Sequence, residues 1–276
     1  DVRLSRGLGD VYKRQEFMVF GSGAAQEMHR RWFESHIDKF NLSYSNRSDE
    51  YHGLSIAGPN SRKVLEKIVR DDVSNEKFKF RDSRRMFVGG VPAIINRISF
   101  TGELGYEIYV APHYQLKLYE ELMEAGKEFN IKPFGGRALM SMRLEKNWGA
   151  WTLDYRPDFT AKETGLDAFI NWDKEFIGKE SAQKENSSNK LVPLIVETNE
   201  IDVTNNEAVL NGDQSIGYVT SGGFAHFVNK SVAFTFVDQK KIKSENKIQV
   251  EINGDLFNCS IIKEPLYDPS GQKMRS

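Results

Sequence analysis

Residues 97–109 read Arg-Ile-Ser-Phe-Thr-Gly-Glu-Leu-Gly-Tyr-Glu-Ile-Tyr, and this stretch is the most informative one in the sequence. On either side of Thr101–Gly105 apolar and polar residues alternate, which is typical of half-buried strands. The glycines between them allow a turn with positive φ, so the stretch predicts a β-hairpin. Glu107 stands out because it places a carboxylate between Tyr106 and Ile108. Two interpretations stay open: Glu107 faces solvent, or it lies beside a ligand pocket.

Composition limits the class of protein. A chain of 276 residues is long enough for two domains. A formal net charge of -1 gives no reason to expect nucleic acid or an acidic membrane as a partner. The single cysteine, Cys259, excludes an internal disulfide and a cysteine-based zinc cluster. The sequence has no apolar run of the ~20 residues that a membrane span requires. We therefore expect a soluble, cytoplasmic protein.

The first two thirds of the chain mix helical and strand patterns. Apolar spacing predicts helices at 24–40, 62–69, 114–129, 137–147 and from 178 to 183. Strands are predicted at 16–20, 51–57, 86–88, 91–100 and 169–172, and residues 70–85 are expected to form a solvated loop. The turn at Gly21–Gly23 resembles part of a dinucleotide-binding motif, but Gln26 replaces its third glycine. A tight turn into an amphipathic helix is the favoured interpretation.

The last third has a different pattern. Residues 185–190 have the composition of a linker, and short strands follow at 191–197, 208–210, 216–220, 232–237, 248–252 and 257–262. The dipeptides Asn211-Gly212, Gly222-Gly223 and Asn253-Gly254 are expected to form turns between strands. The sequence thus predicts an α+β protein with a first domain over 16–186. An antiparallel barrel or sandwich is expected over 190–276.

Residues 1–15 do not fit the sequence that follows. They contain three arginines and one lysine, have no helical or strand period and run abruptly into an apolar strand. We interpret them as a leader that is not native, and we expect native sequence to begin near Glu16.

Motifs with clear chemistry are few. The histidines are scattered, and no nucleophile elbow or phosphate-binding loop occurs. Cys259 lies in a predicted barrel strand and is expected to pack there. Arg143 is flanked by apolar residues, and its favoured interpretation is a structural cation. Trp148 and Trp151 are compatible with core packing or with the wall of a slot for a flat ligand. Residues 160–163 have the form of a capping box.

Several motifs resemble the folate-binding aminomethyltransferase family. The run Ser99-Phe-Thr-Gly-Glu-Leu-Gly-Tyr-Glu107 resembles its Y-T-G-E-x-G-[FYW]-E signature. Further similar segments occur in the family's order at 135–145, 160–166, 176–178, 220–222 and 230–233. The resemblance covers about Glu16 to Ser276. It implies a folate-binding domain of antiparallel sheets with packed helices, followed by a small C-terminal β-barrel.

Residues 142–148 and 265–269 are similar to one branch of that family, the tetrahydrofolate half of dimethylglycine and sarcosine dehydrogenases. The resemblance implies capture of a one-carbon unit from an oxidised N-methyl amine as 5,10-methylenetetrahydrofolate. The cofactor expected for this chain is tetrahydrofolate, and FAD is expected only in an upstream domain that this chain lacks. A free-standing glycine-cleavage aminomethyltransferase and a non-catalytic folate binder of the same fold remain alternatives. In a further alternative, the domain is structural and Glu107 is simply solvated.

The resemblance also implies roles for single residues. Glu107 corresponds to the glutamate that binds the pterin, whose amino group and ring N–H present two parallel donors. Phe100 takes the place of a tyrosine that packs on the folate, and Tyr106 is the aromatic next to Glu107. Tyr106 and Arg143 are also expected to bind the folate, and Trp151 lies where a further aromatic lines the cleft. The family's catalytic aspartate is expected upstream of Glu16, so no catalytic residue is assigned; Asp10 has the wrong surroundings for that role.

Overall fold

The protein, seen as a computed structural model, is described over residues 3–4, 17–198 and 200–276. The predicted leader and Asp10 therefore lie outside the described residues, apart from Arg3–Leu4. The chain forms two compact units. We call residues 1–135 with 270–276 the sheet unit, and residues 136–269 the barrel unit. The predicted domain boundary between residues 186 and 190 stays a prediction.

The sheet unit is built on four antiparallel strands. A short parallel pair comes first, β1 (Arg3–Leu4) with β2 (Phe17–Met18). The main sheet contains β3 (His52–Ala57), β4 (Ser83–Val88), β5 (Val91–Asn96) and β6 (Gly105–Val110), in the order β3-β6-β5-β4. Its helices are α1 (Gln26–Ile37), α2 (Ser61–Glu66) and α3 (Gln115–Gly126). The predicted α+β class is confirmed.

One face of this sheet carries the core of the unit. Ile108 on β6 lies opposite Leu54 on one neighbouring strand and Ile95 on the other. Ile95, Ile108 and Tyr106 are fully buried, and residues of α2 and α3 pack in the same cluster. Since successive side chains on a strand point to opposite faces, Glu107 belongs to the other face.

The predicted hairpin is present, with a longer connection than expected. β5 and β6 pair antiparallel, and the chain between them spans residues 97–104. Arg97 leaves the ladder because its backbone pairs elsewhere: its N–H donates to Asp82 O at 2.9 Å, and its carbonyl accepts from Arg81 N at 2.8 Å. The loop therefore begins at Arg97 rather than at Thr101.

The expected solvated loop at 70–85 is only partly correct. Val73 and Phe78 are buried in the core. The Phe78 ring stacks on Tyr106, with 5.9 Å between the ring centroids. β4 already begins at Ser83, so Arg84 and Arg85 lie on a strand. The mixed charges of this segment indicated exposure to solvent, but its apolar side chains Val73 and Phe78 pack in the core.

The barrel unit contains six strands that close on themselves. They are β7 (Asn189–Val196), β8 (Ala208–Asn211), β9 (Gln214–Ala225), β10 (Lys230–Asp238), β11 (Ile248–Ile252) and β12 (Asp255–Ile261). The order around the barrel is β10-β7-β12-β11-β8-β9. Helices α4 (Gly136–Glu145) and α5 (Lys179–Lys184) precede it, and the last helix, α6 (Gln272–Arg275), belongs to the sheet unit. The predicted barrel is confirmed, and the sandwich alternative is excluded.

Two local predictions in the barrel unit are wrong. Gly222 and Gly223 lie inside β9 and pair with β10 instead of forming a turn. A Cβ on Gly222 would lie 2.6 Å from the carbonyl oxygen of Val203, so glycine is needed for a close backbone approach rather than for a turn. Residues 169–172 form no strand; a 3₁₀ turn occupies Asp167–Phe169. Among the described residues, no helix is long and apolar enough to cross a membrane.

Candidate ligand-binding site

The loop before Glu107 is held by its own hydroxyl groups. Ser99 Oγ accepts from Gly102 N at 3.1 Å, and Thr101 Oγ1 accepts from Glu103 N at 3.2 Å. Gly102 has φ +85°, which favours glycine. A Cβ on Gly105 would lie 3.1 Å from the Ile98 carbonyl oxygen, a tight contact that would require the backbone there to shift slightly. The Thr-Gly-Glu-Leu-Gly sequence thus fixes the point at which β6 begins.

Glu107 is half-buried on β6 and has a partner on its own strand. Its Oε2 accepts a hydrogen bond from Tyr109 Oη at 2.6 Å. The Tyr109 ring contacts Phe20, with 4.6 Å between the ring centroids. Burial and the neighbouring Glu107 charge both raise the pKa of Tyr109 above its usual value, so the phenol stays protonated and donates. The carboxylate is therefore oriented, and its two oxygens retain acceptor capacity for further donors.

Glu107 belongs to a line of polar side chains that crosses the sheet. Ser55 and Asn96 lie opposite Glu107 on the two neighbouring strands, and Ser83 lies opposite Asn96. Opposed residues on paired strands project from the same face. We call these four residues the polar row. It runs from exposed Ser55 through half-buried Glu107 to fully buried Asn96. Glu107 therefore has a polar neighbour on each adjacent strand and is not an isolated acid in solvent.

The aromatic residues predicted near Glu107 have different environments. Phe100 is half-buried in the loop that leads to β6. Tyr106 is fully buried in the core, on the face opposite to Glu107. Burial raises the pKa of the Tyr106 hydroxyl. The surface of Tyr106 is thus occupied by protein, and its packing holds β6 in place.

Arg143 lies in the barrel unit, within a buried polar cluster. Its Nη1 donates to Asp154 Oδ2 at 2.6 Å and to the Trp148 carbonyl at 3.1 Å. Thr220 Oγ1 and Ser221 Oγ donate to Asp154 Oδ1 at 2.5 and 2.7 Å. Arg143 and Asp154 are 1% and 0% exposed, and burial lowers the pKa of Arg143 despite the Asp154 charge. The observed contacts agree with the structural interpretation of this cation.

The cluster fixes the loop that carries Trp151. Asp154 Oδ2 also accepts from Ala150 N at 2.8 Å, and Thr152 N donates to the Tyr155 carbonyl at 2.9 Å. The Trp151 ring is 50% exposed and meets Tyr155 edge-on, with 6.3 Å between centroids. The loop therefore presents a large aromatic surface on a rigid base.

The predicted capping box is also present: Thr160 N donates to Glu163 Oε2 at 2.8 Å, and Glu163 N to Thr160 Oγ1 at 3.2 Å.

The five predicted site residues fall in separate units. Phe100, Tyr106 and Glu107 belong to the sheet unit, while Arg143 and Trp151 belong to the barrel unit. The sequence reasoning missed Tyr109, Asn96 and Asp154. Asn96 had a weak signal, since it interrupts the apolar run Val91–Ile95 of a buried strand. Among the described residues, no group of three or more His, Cys, Asp or Glu could hold a metal ion.

Comparison with known proteins decides the family. The model of the GCVT N-terminal domain matches residues 11–174, and that of the glycine cleavage T-protein C-terminal barrel domain matches residues 189–268. The chain belongs to the glycine cleavage T-protein family. The resemblance stated from the sequence motifs is thereby confirmed.

Two curated relatives illustrate the breadth of this T-protein family. Mitochondrial dimethylglycine dehydrogenase of Homo sapiens is 34% identical over 259 residues, covering 91% of this chain and 30% of the relative. An aminomethyltransferase of Bacillus mycoides is 32% identical over 267 residues, covering 94% of this chain and 72% of the relative. The chain thus spans less than a third of the dehydrogenase that it matches. Both relatives are enzymes, of the dehydrogenase and the aminomethyltransferase type.

A solved structure supports the fold. Aminomethyltransferase T of the glycine cleavage system from Bartonella henselae superposes with a TM-score of 0.74 at 20% identity. The match covers 88% of this chain and 67% of that chain. The chain therefore has the fold of a T-protein.

Proposed function

We propose that this T-protein family chain binds tetrahydrofolate and serves one-carbon transfer from an oxidised N-methyl amine such as dimethylglycine or sarcosine. The product would be 5,10-methylenetetrahydrofolate. The observation that carries the proposal is Glu107, a half-buried carboxylate oriented by Tyr109 within the polar row. The similarity to dimethylglycine dehydrogenase supports the choice of amine.

The residues of the site fit a reduced pterin. Its 2-amino group and the adjacent ring N–H are parallel donors, and a carboxylate accepts from both. Glu107 keeps acceptor capacity beyond its bond to Tyr109. Phe100 offers an aromatic surface in the preceding loop, without the hydroxyl of the family's tyrosine.

Tyr106 and Arg143 act indirectly in this proposal. Tyr106 holds β6 by packing, and Arg143 holds the loop of Trp151 through Asp154. Trp151, half of whose surface is exposed in the barrel unit, stays a prediction from the resemblance.

Tetrahydrofolate supplies the nitrogen that accepts the one-carbon unit. The chain's own residues orient the pterin, and positioning of this kind contributes a large share of such rate accelerations. No described residue is assigned the role of the proton-accepting aspartate that the resemblance implies. FAD and the oxidation of the amine belong in this proposal to an upstream domain of the kind found in dimethylglycine dehydrogenase. The cytoplasmic location stays a prediction.

A second candidate is a free-standing aminomethyltransferase of the glycine-cleavage type. The similarity to the Bacillus mycoides enzyme favours it, because this chain covers 72% of that protein. The two candidates share the folate site and differ in the one-carbon donor. A non-catalytic folate binder remains the third alternative, since it needs the same site without the proton acceptor.

Titration with tetrahydrofolate, followed by tryptophan fluorescence, tests the shared part of the proposal. Glu107→Gln should weaken binding roughly 10- to 100-fold, the effect of losing a charge-assisted hydrogen bond. Glu251→Gln is the matched control, because Glu251 is an exposed strand glutamate in the barrel unit. Equal affinity in the parent, the control and Glu107→Gln would overturn the proposed site.

A further inference from the structure

Asn96 is a buried polar residue with an unused donor. It is fully buried at the end of β5, and its Oδ1 accepts from Ser83 Oγ at 2.7 Å. Its Nδ2 is closed to solvent and has no hydrogen-bond partner. Buried amide groups without partners are rare and costly, so each such group calls for an explanation.

Another buried asparagine of the same chain shows the usual arrangement. Asn211 Nδ2 donates to the carbonyls of Asn246 and Lys247 at 3.1 and 3.3 Å. Its Oδ1 accepts from Lys243 N at 2.7 Å. Asn211 is therefore satisfied by the protein, whereas Asn96 is satisfied on one side only.

The unused donor lies next to Glu107. Asn96 and Glu107 are directly opposed on β5 and β6, so their side chains leave the same face about 4.5–5.5 Å apart at Cβ. Ser83 and Glu107 flank Asn96 on opposite sides. Because Ser83 holds Oδ1, Nδ2 is directed away from Ser83.

We propose that Asn96 is a specificity residue of the folate site, whose side-chain amide donates to the 4-oxo group of the pterin. A pterin presents its 2-amino group, its ring N–H and its 4-oxo oxygen along one edge. Glu107 accepts from the first two groups, and the neighbouring Asn96 donor matches the third. This inference rests on the proposed function and adds a second protein group that reads the same edge.

The closed position of Nδ2 has a consequence for binding. A ligand reaches the amide only if side chains over the polar row move aside, so binding includes a local opening. Tyr109, whose Oη bonds Glu107 Oε2, lies on this face, and its ring contacts Phe20.

The test compares two ligands that differ at the group read by Asn96. Exchange of oxo for amino also removes the proton from the adjacent ring nitrogen that Glu107 reads, but this effect is common to the parent and Asn96→Leu and cancels when their ratios are compared. Tetrahydrofolate carries a 4-oxo acceptor, and tetrahydroaminopterin carries a 4-amino donor at the same place. Both are titrated by calorimetry into the parent, Asn96→Leu and Glu107→Gln. Asn96→Leu should bind tetrahydrofolate about tenfold more weakly, the effect of losing one hydrogen bond, and should not lose affinity for the amino analogue. The ratio of the two dissociation constants then changes about tenfold.

Other outcomes separate this inference from the proposed function. An unchanged ratio in folded Asn96→Leu, with tetrahydrofolate binding still sensitive to Glu107→Gln, would overturn the role of Asn96 alone. No binding of tetrahydrofolate by the parent would overturn both. If Asn96→Leu does not fold, Ser83→Ala provides the same test, because it frees the amide from the hydroxyl that orients it. Ser83→Ala should shift the ratio in the same direction, and a ratio equal to that of the parent would count against the inference.

Discussion

Tyr109 Oη lies 2.6 Å from Glu107 Oε2, two residues along the same strand and on the same face of the sheet. The hydrogen bond ties the carboxylate to a ring that is itself held against Phe20. Glu107 thus has a defined direction before any ligand binds, which reduces the ordering cost of binding.

Tyr109→Phe should therefore weaken tetrahydrofolate binding by roughly three- to tenfold, within the range for one lost hydrogen bond. The phenyl ring keeps the contact with Phe20, so the temperature of unfolding should change little. Fluorescence titration and thermal unfolding measured on the same sample check both parts. Tighter binding by Tyr109→Phe would show instead that the hydroxyl competes with the ligand.

Asp154→Asn should strongly destabilise the barrel unit. The substitution leaves Arg143 buried without its counter-charge, and breaking a buried ion pair costs about 3–5 kcal/mol. Urea denaturation followed by circular dichroism measures the loss. Asp158→Asn is the control, because its pair with Arg156 is exposed and should be worth less than about 1 kcal/mol. Equal stability losses in the two variants would contradict the assigned role of the Asp154 cluster.

The two buried asparagines should differ in how much stability is lost when leucine replaces them. Asn211→Leu removes three hydrogen bonds between the side chain and the backbone of residues 243–247, at a cost of about 2–4 kcal/mol. Asn96→Leu removes a single hydrogen bond, the one from the Ser83 hydroxyl, together with a donor that has no partner, so its cost should stay below about 1.5 kcal/mol. Chemical denaturation of both variants provides the comparison. A loss at Asn96 as large as that at Asn211 would indicate a structural role for Asn96.

Cys259 should be unreactive in the folded protein. Burial in the barrel raises the pKa of its thiol to about 12, so almost none of the reactive thiolate is present at pH 8. Iodoacetamide should label the native chain far more slowly than the chain in urea.

The raised pKa of Cys259 also means that the folded state keeps the proton that the unfolded state releases. Stability should therefore fall as pH rises above about 8.5, the value for a free thiol, and Cys259→Ala should lack this part of the decline.

The barrel and the hairpin were predictable from sequence because their signals are local. Alternating side chains and the Asn211-Gly212 and Asn253-Gly254 turns are sufficient to place the strands around them. Gly222-Gly223 carries the same local signal but serves a close approach to Val203, which depends on a distant segment. Glycine composition alone does not separate these two uses.

The site was less predictable, since its contacts join residues far apart in sequence. Glu107 was found through a motif, whereas its neighbour Asn96 becomes visible only through strand register. Asp154 receives donors from residues 66 and 67 positions away, which no spacing within a loop or helix can reveal. Buried polar partners of this kind require the fold before they can be recognised.

The closed barrel leaves none of its six strands with an unpaired side, so it offers no template for a strand from another molecule. The open sheet differs, because β3 and β4 are its outer strands within the described residues. β4 carries Arg84 and Arg85, charges that discourage pairing between molecules, while β3 reads His-Gly-Leu-Ser-Ile-Ala without an acidic or strongly basic residue. Self-association of this chain at high concentration would therefore begin along β3, the strand that lies beside Glu107.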